Sequence, residues 1–197
     1  MALQAERRAG TQKRIISVAK KVFARDGYAK ASLAEIVDKA NVTTGAVYHH
    51  FNGKKGLFIA VAEHLEQTIL DEVTTATQAS KSLWDTFESS ILNTLEVCAR
   101  PDIQQIVFRD APTIVGIQEW REIEIKYAFG LMRDTIALLA KEEIINAPNP
   151  DLLAQVLLGA IMEAAHSVAR ADDKTLTLKQ AKATIRTILG ALKSKSK

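Results

Sequence analysis

The sequence predicts an all-α protein, and three observations predict it. Apolar residues recur at three- and four-residue spacing over long stretches, β-branched residues rarely alternate with polar ones, and four prolines and nine glycines leave few breaks in 197 residues. A hydrophobic share of 47% against 25% charged supplies a core and argues against disorder. The expected organisation is a three-helix head over residues 1–53 and a larger helical body over residues 54–197, about nine helices in all.

Each element has a local reason. Thr11 is placed to cap a first helix that turns Ile15, Val18, Ala19, Val22 and Phe23 inward, and Gly27 is placed to end it. Ser32 and Glu35 have capping-box spacing and open a short second helix that buries Leu33, Ile36, Val37 and Ala40. Asn41 tolerates the positive φ of a sharp turn, and Thr43-Thr44 start a third helix that runs to about His50. Asn52-Gly53 separates it from a long fourth helix beginning near Lys54, with Leu57, Val61, Leu65 and Ile69 at four-residue spacing. Beyond Thr77 the pattern predicts helices over 82–99, a short broken one to about Val107, and then 117–146, 151–170 and 177–193. The helix from Asp151 is apolar on nearly every face and is expected to be buried on all sides. The last opens on a second capping box, Thr177 to Gln180, and turns Leu178, Ala181, Ile185, Ile188, Leu189 and Leu192 inward. The tail from Ser194 is a frayed basic end.

Charge is divided unevenly. Up to Gly56 the chain holds eleven Lys and Arg against four Asp and Glu, a net +7; the remainder holds 15 against 19, a net −4. A basic head on an acidic body points to a polyanionic partner for the head alone. A single cysteine, Cys98, can form no internal disulfide, which suits a reducing compartment, and on a helix it reads as a small core residue. The first nine residues lack the apolar stretch of a secretory leader. The most apolar segment, Leu152 to Met162, is interrupted by Gln155 and falls short of the about 20 residues a membrane span needs. The expectation is a soluble, cytoplasmic protein with no membrane partner.

A short capped helix, a three-residue turn and a second short helix make a helix-turn-helix. Its second helix enters the major groove, about 12 Å wide, with its N-terminal residues at the base edges. Ala34 is small where the two helices are expected to approach. The segment Leu33 to Phe58, LAEIVDKANVTTGAVYHHFNGKKGLF, resembles the signature of the TetR family of bacterial transcriptional regulators. The apolar pattern, Gly45, Tyr48, His50-Phe51, Lys54 and Leu57-Phe58 all fall in register. Asn41 stands where the family usually has glycine. Gly56 stands where a helix former is usual, so the first turn of the fourth helix is expected to be loose.

The resemblance implies DNA contacts by Ser32, Thr43, Thr44, Gly45, Ala46, Tyr48, His49, His50 and Lys54. Their chemistry fits that role. The Thr43 and Thr44 hydroxyls and the Ala46 methyl suit base edges, and Gly45 lets the backbone approach. Tyr48 and His50 resemble the family's phosphate-contacting pair, with His49 facing the groove or the backbone beside them. Lys54 and Ser32 each lie at a helix start, where free amides also favour a phosphate. Tyr48 alternatively reads as a core aromatic, and Lys20, Lys21 and Lys55 as plain solvated charges. No metal site is expected at His49-His50, because adjacent helical residues point about 100° apart and no carboxylate or Cys is near in sequence.

One recognition helix reads few base pairs, so specific affinity requires two of them about 34 Å apart on a two-fold dimer, facing a palindromic site on double-stranded DNA. The last two helices are the expected homodimer interface, and the resemblance implies a four-helix bundle there. It also implies a small apolar or aromatic effector and no cofactor. Large side chains, Phe58, Trp84 and Phe129 among them, are expected to surround a cavity. Trp120, Tyr127 and His166 are the preferred lining, since each joins an apolar body to a polar group. Effector binding would favour a conformer with wrongly spaced recognition helices and so release the DNA, as in a repressor. The alternative is a helical carrier or scaffold that binds a small molecule without reading DNA. Nothing resembles a nucleophile elbow, a phosphate-cradling glycine loop or a helical metal pair, so no enzyme is expected.

Overall fold

The computed structural model describes residues 2–76 and 82–194. In chain order the helices are α1 (Ala2–Lys30), α2 (Leu33–Lys39), α3 (Thr44–Phe51), α4 (Lys54–Ala76), α5 (Leu83–Cys98), α6 (Pro101–Ile103), a π-helix (Gln104–Asp110), α7 (Ala111–Ile114), α8 (Ile117–Lys141), α9 (Pro150–Arg170) and α10 (Lys174–Leu192). Residues 101–114 form one unbroken run with the π-helix in its middle. Counted as one, it brings the described residues to nine helices, and the all-α class stands.

The chain packs as two compact units, residues 1–65 with 101–120 and residues 66–100 with 121–197. A packing boundary therefore falls elsewhere than the division at residue 53 drawn from motif and charge. The head's core recruits the start of α4 and the run 101–120.

In the first unit α1 supplies the spine. Ile15, Ala19, Val22 and Phe23 are buried as their spacing predicts, and Val18 is half-buried. Phe58 of α4 meets Phe23 and Tyr28 edge to face, with centroids 5.2 and 5.1 Å apart. Phe58 thus belongs to this aromatic core rather than to a cavity in the body. Thr11 is not a cap. The helix begins at Ala2, and the Thr11 hydroxyl donates back to the Arg7 carbonyl at 2.9 Å. Ala, Leu, Gln, Glu and Arg upstream are all good helix formers and carry the helix past the candidate cap. Gly27, at φ +70°, breaks it as expected.

In the second unit α10 packs on α9 and α5. α9 buries Ala154, Leu157, Leu158, Ile161, Ala165, Val168 and Ala169. It leaves Leu152 56% and Val156 59% exposed, so burial on every side fails within one chain. By length and composition alone α9 could cross a bilayer, a test that a core helix also passes, and seven of its residues are buried. α10 buries only Ile185 and Leu189 fully, and Ile188 is exposed. It starts three residues before the expected box. Asp173 accepts from the Leu176 amide at 2.9 Å, and the Thr177 hydroxyl bonds back to the Asp173 carbonyl, because an upstream acidic cap satisfies the orphan amides first. α8 ends at Lys141, well before Asn146. Ile144 and Glu143 donate to the carbonyls of Leu139 and Ala140, with Glu143 at φ +54° in the place glycine usually takes. The tail beyond Ser194 lies outside the described residues.

Candidate nucleic-acid interface

The head's second and third helices are short and closed by their own side chains. Ser32 caps α2, its hydroxyl accepting from the Glu35 amide at 3.3 Å. The reciprocal half of the capping box is not made. The Glu35 carboxylate turns to Arg25 of α1 and Lys39 instead, because a cation binds it more strongly than a backbone amide does. Hydrogen bonds from Arg25 hold Asp26 and Glu35 below the usual carboxylate range, so this network stays charged at neutral pH. α2 ends with Val42 and Asn41 donating to the carbonyls of Val37 and Asp38, and Asn41 at φ +48° makes the turn as expected. Ala34 is exposed and is not the point of close approach; Ile36, Ala40 and Val47 are the buried residues there.

Thr43 caps α3 by accepting from the Ala46 amide at 3.2 Å. Its hydroxyl proton remains available to a DNA acceptor, as does that of Ser32. Val47 anchors the inner face of α3. Thr44, Gly45, Tyr48 and His49 are exposed on the opposite face, and Ala46 and His50 are half-buried at its margin. Asn52 at φ +60° and Gly53 at φ +96° close the helix. Tyr48 is 58% exposed, which removes its reading as a core aromatic. A Cβ on Gly53 would lie 3.2 Å from its ring. His50 stacks edge-on with His49, 5.2 Å between centroids, and its Nδ1 is enclosed without a partner among the described residues. Desolvation, followed by His49 and Arg8, lowers its pKa, so the ring is neutral at neutral pH.

The basic residues divide. Lys20 pairs with Asp102 at 3.4 Å and Arg25 with Asp26 and Glu35, so both spend charge within the head. Lys54 stands over the Tyr28 ring at 4.7 Å and donates to the Ala29 carbonyl at 3.4 Å; its ammonium keeps further protons for a phosphate. Gly56 does not loosen α4. A Cβ there would lie 1.7 Å from the Phe51 carbonyl oxygen, so glycine permits a close passage that propensity alone does not reveal.

The body residues fall apart in the two units. Trp120 belongs to the first, nearly fully buried, with its indole N–H lacking a partner among the described residues. Tyr127 and His166 belong to the second, both half-buried. Lys126 stands 5.2 Å from the Tyr127 ring, and desolvation lowers the His166 pKa. None of the three lines either of two grooves in the second unit. One, about 970 Å³, is bounded by Trp84, Ile144, Pro148 and Lys193, the other, about 230 Å³, by Arg121, Ile125, Phe129, Gln155 and Leu158.

Two acids escaped the sequence reading. Glu66 of α4 and Glu124 of α8 are both buried in the second unit. Desolvation, and then Glu124, push Glu66 up to about 8; burial beside both also raises the Cys98 thiol, which is therefore inert. The signal was legible. Glu66 continues the stripe Phe58, Ala62, and Glu124 sits one turn past Trp120, each an acid on an apolar face.

Residues 15–61 match the family model described as bacterial regulatory proteins, tetR family, and residues 84–192 match that of a tetracyclin repressor-like C-terminal domain. The Transposon Tn10 TetC protein of Escherichia coli is 30% identical over 162 residues, 82% of each chain. The crystal structure of a TetR-family transcriptional regulator from Pectobacterium atrosepticum superposes with a TM-score of 0.87 at 29% identity, covering 98% of both chains. RolR, solved in complex with resorcinol, shares the fold at a TM-score of 0.66 and 19% identity over 97% of this chain and 98% of its own.

Proposed function

This chain belongs to the TetR family of bacterial transcriptional regulators, and from that premise we propose that it grips a palindromic operator as a homodimer and is released by a small apolar or aromatic ligand. The observation that carries the proposal is the outer face of α3. Thr44, Gly45, Tyr48 and His49 are exposed together on a helix whose other side is anchored by Val47. Such a face offers a base-reading hydroxyl, a bare backbone and an aromatic hydroxyl at one groove-sized edge. Thr43, Ala46, His50, Ser32 and Lys54 flank it. The functional division assigns residues 1–53 to DNA and 54–197 to dimerisation and ligand.

Dimerisation through α9 and α10 is supported by what one chain leaves uncovered: Leu152 and Val156 on α9, Leu176 and Ile188 on α10. Apolar area of this kind gains about 25 cal/mol per Å² when a second copy covers it. For the ligand, Trp120 has the best support, since a buried N–H without an acceptor costs about 1–3 kcal/mol that a bound molecule would offset. Tyr127 and His166 remain candidates by chemistry alone. Repression is supported by the match to a tetracyclin repressor-like C-terminal domain, and a DNA partner supports a cytoplasmic location.

Footprinting on DNA flanking the coding gene tests the whole reading. The expected result is two protected half-sites one helical turn or a multiple of it apart. Lys54→Ala should weaken binding to all sequences and flatten the log–log salt dependence by about 0.9, whereas Thr44→Ala should shift sequence preference. A monomer indifferent to duplex DNA at low salt would sink the proposal and leave a helical carrier.

A further inference from the structure

α1 does not run unbroken to the end of its span. It breaks at Gly27, and the first amide beyond the break, that of Tyr28, donates to Asp110 Oδ2 at 2.6 Å. Asp110 is the last residue of the π-helix Gln104–Asp110. π-helical turns are rare and are found frequently at functional sites. Two more contacts join the same surfaces, both within the first unit. Lys20 pairs with Asp102, and Gln105 Nε2 lies 3.1 Å from where a Cβ on Gly27 would stand. Asp110 therefore takes its place in a docking of the run 101–114 onto the broken end of α1.

What lies on that end is Lys54. The Tyr28 ring packs against Phe58 and Phe23, and the Lys54 ammonium stands over it, 4.7 Å from its centroid. The neighbouring Ala29 carbonyl accepts from the same ammonium. The contacts form a series: Asp110 holds the Tyr28 backbone, Tyr28 and Ala29 hold Lys54, and Lys54 lies at the start of α4 beside the end of the recognition helix. We propose that Asp110 is a positioning residue for DNA binding, fixing the platform from which Lys54 meets a backbone phosphate. The inference rests on the phosphate role of Lys54 given above.

The sign of the effect separates positioning from charge. Asp110 is an anion in a basic head, so removing it by electrostatics alone would tighten DNA binding. Positioning requires the opposite. The full chain is titrated with a duplex of arbitrary sequence over a range of salt, because a phosphate contact needs no operator. Asp110→Ala is expected to weaken binding about five- to tenfold and flatten the log–log slope by about 0.9, the same change expected of Lys54→Ala. In the double variant the two losses should not add, since both remove one contact. Asp110→Asn keeps an oxygen to accept from Tyr28 and should bind as the parent or tighter. It also serves if the alanine variant does not fold. Unchanged or tighter binding by Asp110→Ala, full additivity with Lys54→Ala, or an equal loss in Asp110→Asn overturns the proposal. An unaffected Lys54→Ala overturns instead the phosphate role on which it rests.

Discussion

Replacing Glu66 with glutamine is expected to stabilise this protein, and increasingly so as pH rises. The side chain is 8% exposed in the second unit, and burial, with Glu124 nearby, lifts its pKa from 4.5 to about 8. The native state therefore keeps a proton that the unfolded chain releases above its ordinary value. Unfolded chains bind fewer protons across that window, so native stability falls as pH climbs from 4.5 to 8 and levels off above it. At about 1.36 kcal/mol per pH unit, the carboxyl costs roughly 3 kcal/mol at pH 7 and roughly 5 kcal/mol once the window is passed. Glutamine has nearly the same volume and no proton to lose. Urea unfolding of the full chain at pH 5, 7 and 9 measures the difference between parent and Glu66→Gln, expected to be small at pH 5 and large at pH 9. Glu124→Gln removes the second cause and should shift the parent's loss toward higher stability at neutral pH. A difference that stays flat from pH 5 to 9 would mean that Glu66 ionises normally, and the reasoning from its burial would be wrong.

Three further outcomes follow from local geometry. Thr43→Val deletes the α3 cap at constant shape and should cost about 1 kcal/mol, a fall of roughly 2–4 °C in thermal melting, with Thr43→Ser restoring it. Glu143→Gly relieves a left-handed backbone at the end of α8 and should raise stability by about 1 kcal/mol in urea titration; a loss would show that the side chain matters more than the strain. Gly56→Ala gains about 1 kcal/mol of helix propensity yet meets the Phe51 carbonyl, so it should lower both melting temperature and DNA affinity, and a more stable variant would refute the close passage.

The helices, the inward stripe of α1 and the helix-turn-helix were legible in the sequence because all three are local. A 3.6-residue period needs no partner to be read, and a turn at Asn41 demands a residue that tolerates positive φ wherever it occurs. The exposed face of α3 followed from that period too. Choices between competing caps were not legible. Thr11 and Thr177 carry the right chemistry, but good helix formers before one and Asp173 before the other decided where each helix begins. Tertiary structure alone decided the rest, because it joins residues that sequence spacing cannot relate. It put Phe58 with Phe23 and Tyr28, gave the Tyr28 amide to Asp110, turned Glu35 to Arg25, and enclosed Glu66 and Glu124 together, where the cost of burying charge rather than any motif sets their behaviour.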